Sequence, residues 1–567
     1  MELTTARSPL LLERFGGTLE QVQGIYVAQL KGSYEDIGRQ HAALALEVCG
    51  DVVPQYLNAL IEKLIAHAIP PLATPAGLLL KHVFRFRNAD RIGADLRAVI
   101  AGSSSVFGMD PRLLERILFV PDILHYLAGR SFVPLAFPPM CSGFYAADSA
   151  TRDGRQIIGR NLDFFGRGIW NECNALIVTH PDGGQRACWM GALGAPSAPQ
   201  GFNESGLFFA LHTHFTRDVS TSGVPLFAIC QKVMARCTTL DEAIRAITGE
   251  PRLCGLSFFV ADTRARKAAV VGYSAQHHEV VYPENDALVR TNHYVTADMQ
   301  SHEVAPYAWQ RNSRGRYRRV QDLLNSLRGT LEPQDAPAIL GDCYDTWEER
   351  TRVTGNIIAC ANTTQSVVMS PDEDIVWVAK ADHPVSHAEQ YAGFRMSALL
   401  EGDRDAYSCG NLPGRCPLDA TEREALHEYE EAWSAYMDDL NNDKAVFHLR
   451  RAAALLPCEP IFPRMAGILL MKQHKYAQAL PLLERNTEYD YKDDLMRAEA
   501  HIWVGRCLDL MGQRREALEA YQRAEALNVA PVSGAAARHR TRSFRTLDLI
   551  DVAPEFIVGT ALAKYRA

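Results

Sequence analysis

Cys141 and a motif that follows it carry the chemistry that this sequence predicts. The cysteine comes after Pro138-Pro139-Met140, the end of a stretch whose prolines predict an extended chain, and Gly159-Arg160-Asn161-Leu162-Asp163-Phe164 stands downstream. A thiol beside an arginine and a carboxylate is a cysteine nucleophile with partners. If the Met140–Cys141 bond is cut, Cys141 becomes an N-terminus. Its α-amine, with a reference pKa of about 7.7–8.0, then serves as its base.

A β-hairpin is expected to bring the two partners back beside the cysteine. Strand-like residues follow Cys141, and Asp153-Gly154 is a strong turn signal before the returning strand. In a regular strand, Arg160 and Asp163 point to opposite faces. Two geometries stay open: a bulge intervenes, or Asp163 lies beyond the end of the strand.

Composition limits the classes of protein to consider. The chain has 567 residues, 47% of them hydrophobic, which predicts more than one domain with sizeable cores. Its net charge of −8 offers no general footprint for nucleic acid. No signal peptide or membrane span is evident in the sequence. Thirteen cysteines without a Cys-x-x-Cys pair predict reduced thiols and a cytoplasmic protein.

The pattern of apolar residues and turn signals divides the chain into five segments. Residues 1–140 read as mostly helical, whereas residues 141–400 mix strands with paired helices, as expected of sheets covered by helices. Residues 401–419 are predicted to be a linker. Residues 420–532 are predicted to be helical repeats, and residues 533–567 a tail without an assigned structure.

An internal repeat supports the helical prediction for the C-terminal part. Lys475-Tyr476-Ala477-Gln478-Ala479-Leu480 recurs 38 residues later as Gln513-Arg514-Arg515-Glu516-Ala517-Leu518, and Tyr521 follows where the first copy has Leu483. Such units resemble tetratricopeptide repeats, whose usual period of about 34 residues implies an insertion or an irregular loop here. The resemblance implies a possible protein partner on the concave face.

The motifs around Cys141 resemble those of choloylglycine hydrolases and, more broadly, of the acyl-coenzyme A:6-aminopenicillanic acid acyltransferases. Both are N-terminal nucleophile hydrolases. The resemblance covers roughly residues 17–392, and residues 32–41 are similar to the propeptide helix of the acyltransferase branch. It rests on motifs in a shared order, at residues 159–164, 203–207, 291–293, 313–314 and 366–371. It implies an α+β fold: an αββα sandwich with a helical propeptide region before it and, from the repeats, an all-α domain after it.

The resemblance also implies roles for individual residues. Cys141 would be the nucleophile in both self-cleavage and catalysis. Asp163 would hold its α-amine, and Arg160 would stabilise the thiolate. Asn292 would donate to the oxyanion, and Arg314 would organise the site from its helix.

The sequence departs from the family at one position. Choloylglycine hydrolases place an oxyanion asparagine where Thr213 stands here, which argues against bile-salt hydrolysis. Thr213, His212, Asn203 and Ser313 are therefore candidates for contact with the oxyanion or the substrate. His212 and His214 alternate onto one strand face, but a structural or substrate-lining role is favoured over metal binding, so no metal is predicted.

The predicted activity is hydrolysis of a linear amide through a thioester acyl-enzyme, after cleavage between Met140 and Cys141. An acyl-coenzyme A-dependent N-acyltransferase is the close alternative. A catalytically silent scaffold that binds protein through its repeats is a third. The expected partner is a small N-acyl amide or acyl thioester, with no cofactor apart from a coenzyme A thioester as a possible substrate, and with neither nucleic acid nor a membrane span.

Overall fold

The computed structural model describes residues 12–67, 69–130, 140–304, 306–381 and 384–561. The predicted extended stretch before Cys141 therefore lies, up to residue 139, outside the described residues. The helices are α1 (Tyr34–Val48), α2 (Val52–Ala66), α3 (Ala73–Asn88), α4 (Ala94–Phe107), α5 (Pro111–Leu118), α6 (Val120–Arg130), α7 (Ile169–Cys173), α8 (Leu226–Arg236), α9 (Leu240–Thr248), α10 (Ala297–Ser301), α11 (Tyr307–Ser326), α12 (Ala336–Leu340), α13 (Met396–Glu401), α14 (Ala420–Met437), α15 (Asn442–Leu455), α16 (Ile461–Lys472), α17 (Tyr476–Asn486), α18 (Asp494–Leu510), α19 (Arg514–Ala526) and α20 (Val532–Thr541).

Two large sheets form the centre of the fold. The strands are β1 (Leu12–Arg14), β2 (Gly17–Val22), β3 (Ile25–Gly32), β4 (Met140–Asp148), β5 (Gly154–Asp163), β6 (Asn174–Pro181), β7 (Ala187–Ala192), β8 (Gln200–Asn203), β9 (Leu207–Thr213), β10 (Leu256–Asp262), β11 (Lys267–Tyr273), β12 (His278–Val281), β13 (Ala287–Arg290), β14 (Tyr344–Asp345), β15 (Arg350–Thr351), β16 (Thr363–Ser370), β17 (Ile375–Ala379), β18 (Gln390–Arg395) and β19 (Ser408–Pro413). The ten-stranded sheet has the order β1-β2-β3-β6-β7-β8-β9-β10-β11-β12, and the seven-stranded sheet has the order β13-β4-β5-β16-β17-β18-β19.

Three apolar layers hold the sheets and helices together. Side chains such as Tyr145 and Val367 fill the space between the two sheets. Phe209 belongs to the layer that joins the outer face of the larger sheet to helices. Phe144 and Val320 belong to the layer between the smaller sheet and its helices. The order is therefore helix, sheet, sheet, helix, and the predicted α+β class is confirmed.

The N-terminal segment is mostly helical from Tyr34 to Arg130, as the sequence predicts, but the described residues before Tyr34 form strands. Strands β2 and β3 form a hairpin at the edge of the larger sheet, and β3 then pairs in parallel with β6. The turn residues Gln23 and Gly24 have φ values of 51° and 82°. Two positive values suit a tight hairpin turn, and glycine adopts one of them without strain.

The predicted linker at residues 401–419 also needs correction. Strand β19 pairs with β18 and completes the edge of the smaller sheet. Its residues are mostly exposed on this edge, and the polar and small residues that suggested a linker are equally typical of an edge strand.

Helices α14 to α20 form the C-terminal helical array, a name used here for residues 420–541. Neighbouring helices pack in sequence, and two equivalent contacts recur 38 residues apart. A Cβ added to Gly467 would meet Leu483 at 2.6 Å, and one added to Gly505 would meet Tyr521 at 2.5 Å. Both glycines thus permit close approach of the second helix in a pair. The segment predicted as an unassigned tail begins with α20.

None of the helices in the described ranges is long and apolar enough to cross a membrane.

Candidate active site

Cys141 is the second residue of β4 and lies near the end of that strand. Its neighbours at alternate positions, such as Tyr145, face the other sheet, so its side chain faces the same space. The residue is 2% exposed. Met140 and Cys141 are consecutive residues of the strand here, so the contacts described below are those of the uncleaved chain.

Arg160 reaches the sulfur from the neighbouring strand. Because Arg160 pairs with Gly143, its side chain lies on the same face as Cys141. Its Nη2 donates to Cys141 Sγ at 3.3 Å and to the Leu211 carbonyl at 2.8 Å. Its Nε and Nη1 have no hydrogen-bond partner among the described residues. The guanidinium thus touches the thiol and keeps two nitrogens available to donate to another acceptor.

Opposing effects act on the thiol. Burial raises the pKa of Cys141 above its ordinary value, while the positive charges of Arg160 and Arg316 oppose that rise and the nearby Asp163 carboxylate adds to it. Burial outweighs the arginines, so the thiol of the uncleaved chain is held in its protonated form at neutral pH.

Asp163 is the last residue of β5 and pairs with Met140. Neither of the two geometries that the sequence left open occurs: the β4–β5 ladder is regular here, and Asp163 lies on the opposite face from Arg160. The irregularity falls instead in the next strand, between Thr363 and Gln365. Thr363 donates to Asp163 Oδ1 at 2.8 Å, whereas Oδ2 has no hydrogen-bond partner in the described part of the chain.

Burial raises the pKa of Asp163, and the Arg316 guanidinium is the strongest influence against that rise. A buried carboxylate with one oxygen free of hydrogen bonds is a good acceptor for a cation formed beside it.

Asn292 fixes the backbone of the nucleophile. Its Oδ1 accepts from the Cys141 backbone N–H at 3.0 Å and from Arg316 Nη2 at 2.8 Å, while its Nδ2 donates to the Thr213 carbonyl at 3.1 Å. One N–H of the amide is bound in this way, and its second N–H stays available for the predicted donation to an oxyanion. Ser313 Oγ accepts the Asn292 backbone N–H at 2.7 Å and so positions the asparagine from α11.

Arg314, the predicted organising arginine, is exposed, and the structure places Arg316 in the site instead. Residues two apart lie about 200° apart around a helix, so the two arginines point to opposite sides of α11. Arg316 is fully buried. It donates to the Cys141 carbonyl at 2.7 Å, to Ser142 Oγ at 2.8 Å and to Asn312 Oδ1 at 2.8 Å, in addition to Asn292. The Ser313-Arg314 motif indicated the helix that carries the buried arginine. The choice of Arg316 over Arg314 also required the position of each residue around that helix.

The other predicted candidates have different positions. Thr213 borders the cavity described below. His212 packs against Gly143, where an added Cβ would meet its Nε2 at 3.1 Å. Burial and then Arg160 lower the pKa of His212 well below its ordinary value, so the ring is neutral. Asn203 lies away from the thiol, since its amide binds the carbonyls of Met234 and Cys237 and stabilises a turn.

A cavity of about 110 Å³ adjoins Cys141. It is lined by residues of both sheets, of the upstream helices α2, α5 and α6, and of α8. Most of its wall is apolar, and the described residues that line it include Leu57, Ile117, Val120, Leu162, Phe164, Trp170, Ala192, Ala195, Leu211, Leu226, Phe227 and Leu256. Such a space accepts a hydrocarbon group and places it beside the sulfur.

Comparisons with known proteins agree with part of this description. A family model described as acyl-coenzyme A:6-aminopenicillanic acid acyl-transferase matches residues 150–382. The match includes Arg160, Asp163, Asn292 and Arg316, and it begins after Cys141. An uncharacterized protein from Archaeoglobus fulgidus is 24% identical over 357 residues, which are 56% of this chain and 58% of that protein. The chain thus spans less than two thirds of this curated relative.

Solved structures show weaker likenesses. The N-acylethanolamine-hydrolyzing acid amidase ortholog of Caenorhabditis elegans is 18% identical, with 41% of this chain and 93% of that chain covered and a TM-score of 0.29. A mutant of conjugated bile acid hydrolase from Clostridium perfringens is 16% identical, with 49% and 98% covered and a TM-score of 0.30. The N-terminal domain of stress-induced protein-1 from C. elegans is 17% identical, with 21% and 98% covered and a TM-score of 0.19. At these TM-scores the likenesses carry no argument about function.

The contacts of α11 predict opposite outcomes for its two neighbouring arginines. Arg316→Lys offers one ammonium in place of a planar fork, so some of the buried oxygens around it lose their donor, at about 1–3 kcal/mol for each. We expect a clear fall in the thermal unfolding midpoint. Arg314→Lys is the matched control on the exposed face, where we expect a change within about 0.5 kcal/mol. Equal midpoints for the two variants would contradict the assignment.

The charge of Arg160 predicts a pH effect on the thiol. Arg160→Gln removes a cation that favours the thiolate, so the pKa of Cys141 should rise further and alkylation by iodoacetamide should require a higher pH. Arg155→Gln, in the same strand but paired with Asp153 on the surface, is the control and should leave the profile unchanged. An unshifted profile for Arg160→Gln would show that the guanidinium does not act on the sulfur.

Proposed function

We propose that this chain is a self-processing cysteine amidohydrolase that cleaves a linear N-acyl amide through a thioester. The observation that carries the proposal is the convergence of Arg160 and Asn292 on Cys141, at a strand end beside an apolar cavity. The similarity of residues 150–382 to an acyltransferase family supports the same general chemistry.

Self-cleavage is the first step of the proposed mechanism. The Cys141 sulfur attacks the carbonyl carbon of Met140, a C–S bond forms, the C–N bond breaks, and the thiol proton ends on the freed amine. Water then hydrolyses the thioester, which leaves a Met140 carboxylate and regenerates the thiol. Asp163 is suited to the new α-ammonium, because its Oδ2 lacks a hydrogen-bond partner among the described residues.

Turnover uses the same groups. The α-amine takes the thiol proton, and the thiolate attacks the substrate carbonyl. When the tetrahedral intermediate collapses, the amide C–N bond breaks and the leaving amine takes the proton from the α-ammonium. The amine then draws a proton from water, which attacks the thioester and releases the acid and the thiol. The two unpartnered nitrogens of Arg160 support a role in binding the thiolate or the developing oxyanion. Thr213 is the second candidate donor.

The cavity supports an apolar acyl group as the substrate class. Its lining combines residues of the strands with Ile117 and Val120 from the upstream segment. An acyl carbonyl at Cys141 would direct its chain into this space, where burial of each CH₂ contributes about 0.8 kcal/mol.

We also propose that the C-terminal helical array is tetratricopeptide-like. The equivalent contacts of Gly467 with Leu483 and of Gly505 with Tyr521 repeat with the offset read from the sequence. Helix pairs that bury a small residue against a large one at a fixed interval are typical of such arrays.

The central test is the fate of the Met140–Cys141 bond. Intact-mass measurement of the wild-type protein should give two fragments that end at Met140 and begin at Cys141, and an electrophilic acyl probe should label the latter. Cys141→Ala should remain one chain without label. Profiling of released amines from an N-acyl amide library, with and without acyl-coenzyme A, separates hydrolysis from transfer. Active wild-type protein with an uncut bond would exclude this mechanism.

The cavity generates a prediction about selectivity. Ala195→Leu places a larger side chain in the cavity wall, so we expect kcat/KM to fall about tenfold or more for long acyl chains relative to short ones. Alkylation of Cys141 by iodoacetamide is the control and should proceed as in the wild type. If both acyl lengths lose activity equally, the cavity does not hold the acyl chain.

A further inference from the structure

Residues 552–561 are buried throughout, although they form neither a helix nor a strand. We call them the C-terminal segment. Here the segment lies along α14, α16 and α18, the first helices of three successive pairs in the C-terminal helical array.

The array binds the main chain of this segment. Tyr429 in α14 donates to the Phe556 carbonyl, Lys472 in α16 donates to the Val552 carbonyl at 2.7 Å, and Arg464 in α16 donates to the Gly559 carbonyl at 3.3 Å. Side chains of the array thus bind three carbonyls of the segment, whose residues 556–559 form a turn closed by a bridge between Glu555 and Thr560.

A buried ion pair anchors the far end of the segment. Arg464 Nη1 lies 3.2 Å from Glu499 Oε2, and neither side chain is exposed. Glu499 Oε1 also accepts from the Thr560 hydroxyl and from the Ala561 backbone N–H at 3.4 Å. The carboxylate therefore binds both the array and the segment, and loss of the segment would leave it with fewer donors.

Gly559 lets the segment fit. Its φ is 65°, and an added Cβ would meet the Ile461 side chain in α16 at 2.4 Å. Both the backbone conformation and the contact therefore require glycine.

The docked segment reaches the surroundings of the scissile bond. Ile557 belongs to one buried apolar cluster with Met140, Phe215, Trp309 and Cys360. Arg316 Nη2 also donates to Met140 Sδ at 3.4 Å. The side chain on the acyl side of the bond thus shares a buried cluster with a residue of the C-terminal segment, whose main chain the array binds.

We propose that the groove of the C-terminal helical array is a peptide-binding surface whose ligand is the chain's own C-terminal segment, and that its docking positions Met140 for cleavage at Cys141. Ile557 is then a positioning residue. The inference rests on the proposed function, because it concerns the self-cleavage step. A misplacement of about 1 Å is enough to slow a reaction about a hundredfold, so an enclosed Met140 favours attack by the neighbouring sulfur.

The test compares two glycine variants of the full-length protein. Gly559→Ala should release the segment, whereas Gly534→Ala, where an added Cβ would meet nothing within 4 Å, is the matched control. Each chain is made by cell-free synthesis, and cleavage at Met140–Cys141 is followed by mass. We expect cleavage about tenfold to a hundredfold slower in Gly559→Ala and unchanged in Gly534→Ala. Limited proteolysis should cut residues 552–561 only in Gly559→Ala.

Two further arms keep the inference open to contradiction. A synthetic peptide of residues 552–561 should restore cleavage of Gly559→Ala, which a general loss of folding would not allow. Ile557→Ala should cleave slowly while its segment remains protected from protease. A released segment with wild-type cleavage, or wild-type cleavage of Ile557→Ala, overturns the inference. If the wild-type chain itself never cleaves, the proposed function fails instead.

Discussion

The arrangement around Cys141 depends on the burial of a second guanidinium, that of Arg316. Within the described residues no carboxylate lies within ion-pairing distance of it, and an unsolvated cation is costly unless acceptors surround it. Its acceptors are the Cys141 carbonyl and the side chains of Ser142, Asn292 and Asn312. These belong to β4, the loop after β13 and α11. All four acceptors reach Arg316 only when β4, the loop after β13 and α11 are packed in this arrangement. The hydrogen bonds of this guanidinium therefore also fix the position of the Cys141 thiol.

The contacts of the segment before Cys141 do not depend on whether the Met140–Cys141 bond is intact or cut. Strand β3 pairs with β6 inside the larger sheet, and α5 and α6 contribute Ile117 and Val120 to the cavity beside the thiol. Cutting one bond after Met140 breaks none of these contacts. A cleaved protein would therefore keep both pieces together, and the first piece would still form a wall of the cavity beside Cys141.

The sequence predicted the parts of the site that lie close together along the chain and less of what is assembled from a distance. The hairpin that brings Arg160 beside Cys141 follows from a turn signal and strand patterns. The choice between Arg314 and Arg316 required the orientation of α11, which a motif match alone does not give. Strands β2 and β3 were wrongly predicted to be helical, because the helical pattern of the residues that follow was extended back over them. The contribution of Ile557 had no sequence signal, because it depends on how the helical array packs on the sheets.

Helix α11 contacts both the nucleophile and the C-terminal part of the chain. Trp309, Asn312 and Arg316 are spaced by three and four residues and so lie on one face. Trp309 belongs to the cluster that contains Ile557. Arg316 lies about 10 Å further along the helix axis and donates to the Cys141 carbonyl. Arg311 of the same helix binds Asp493 at the start of α18, with 2.7 Å between nitrogen and oxygen. One helix thus contacts the nucleophile's backbone, the cluster that contains Ile557 and the C-terminal helical array.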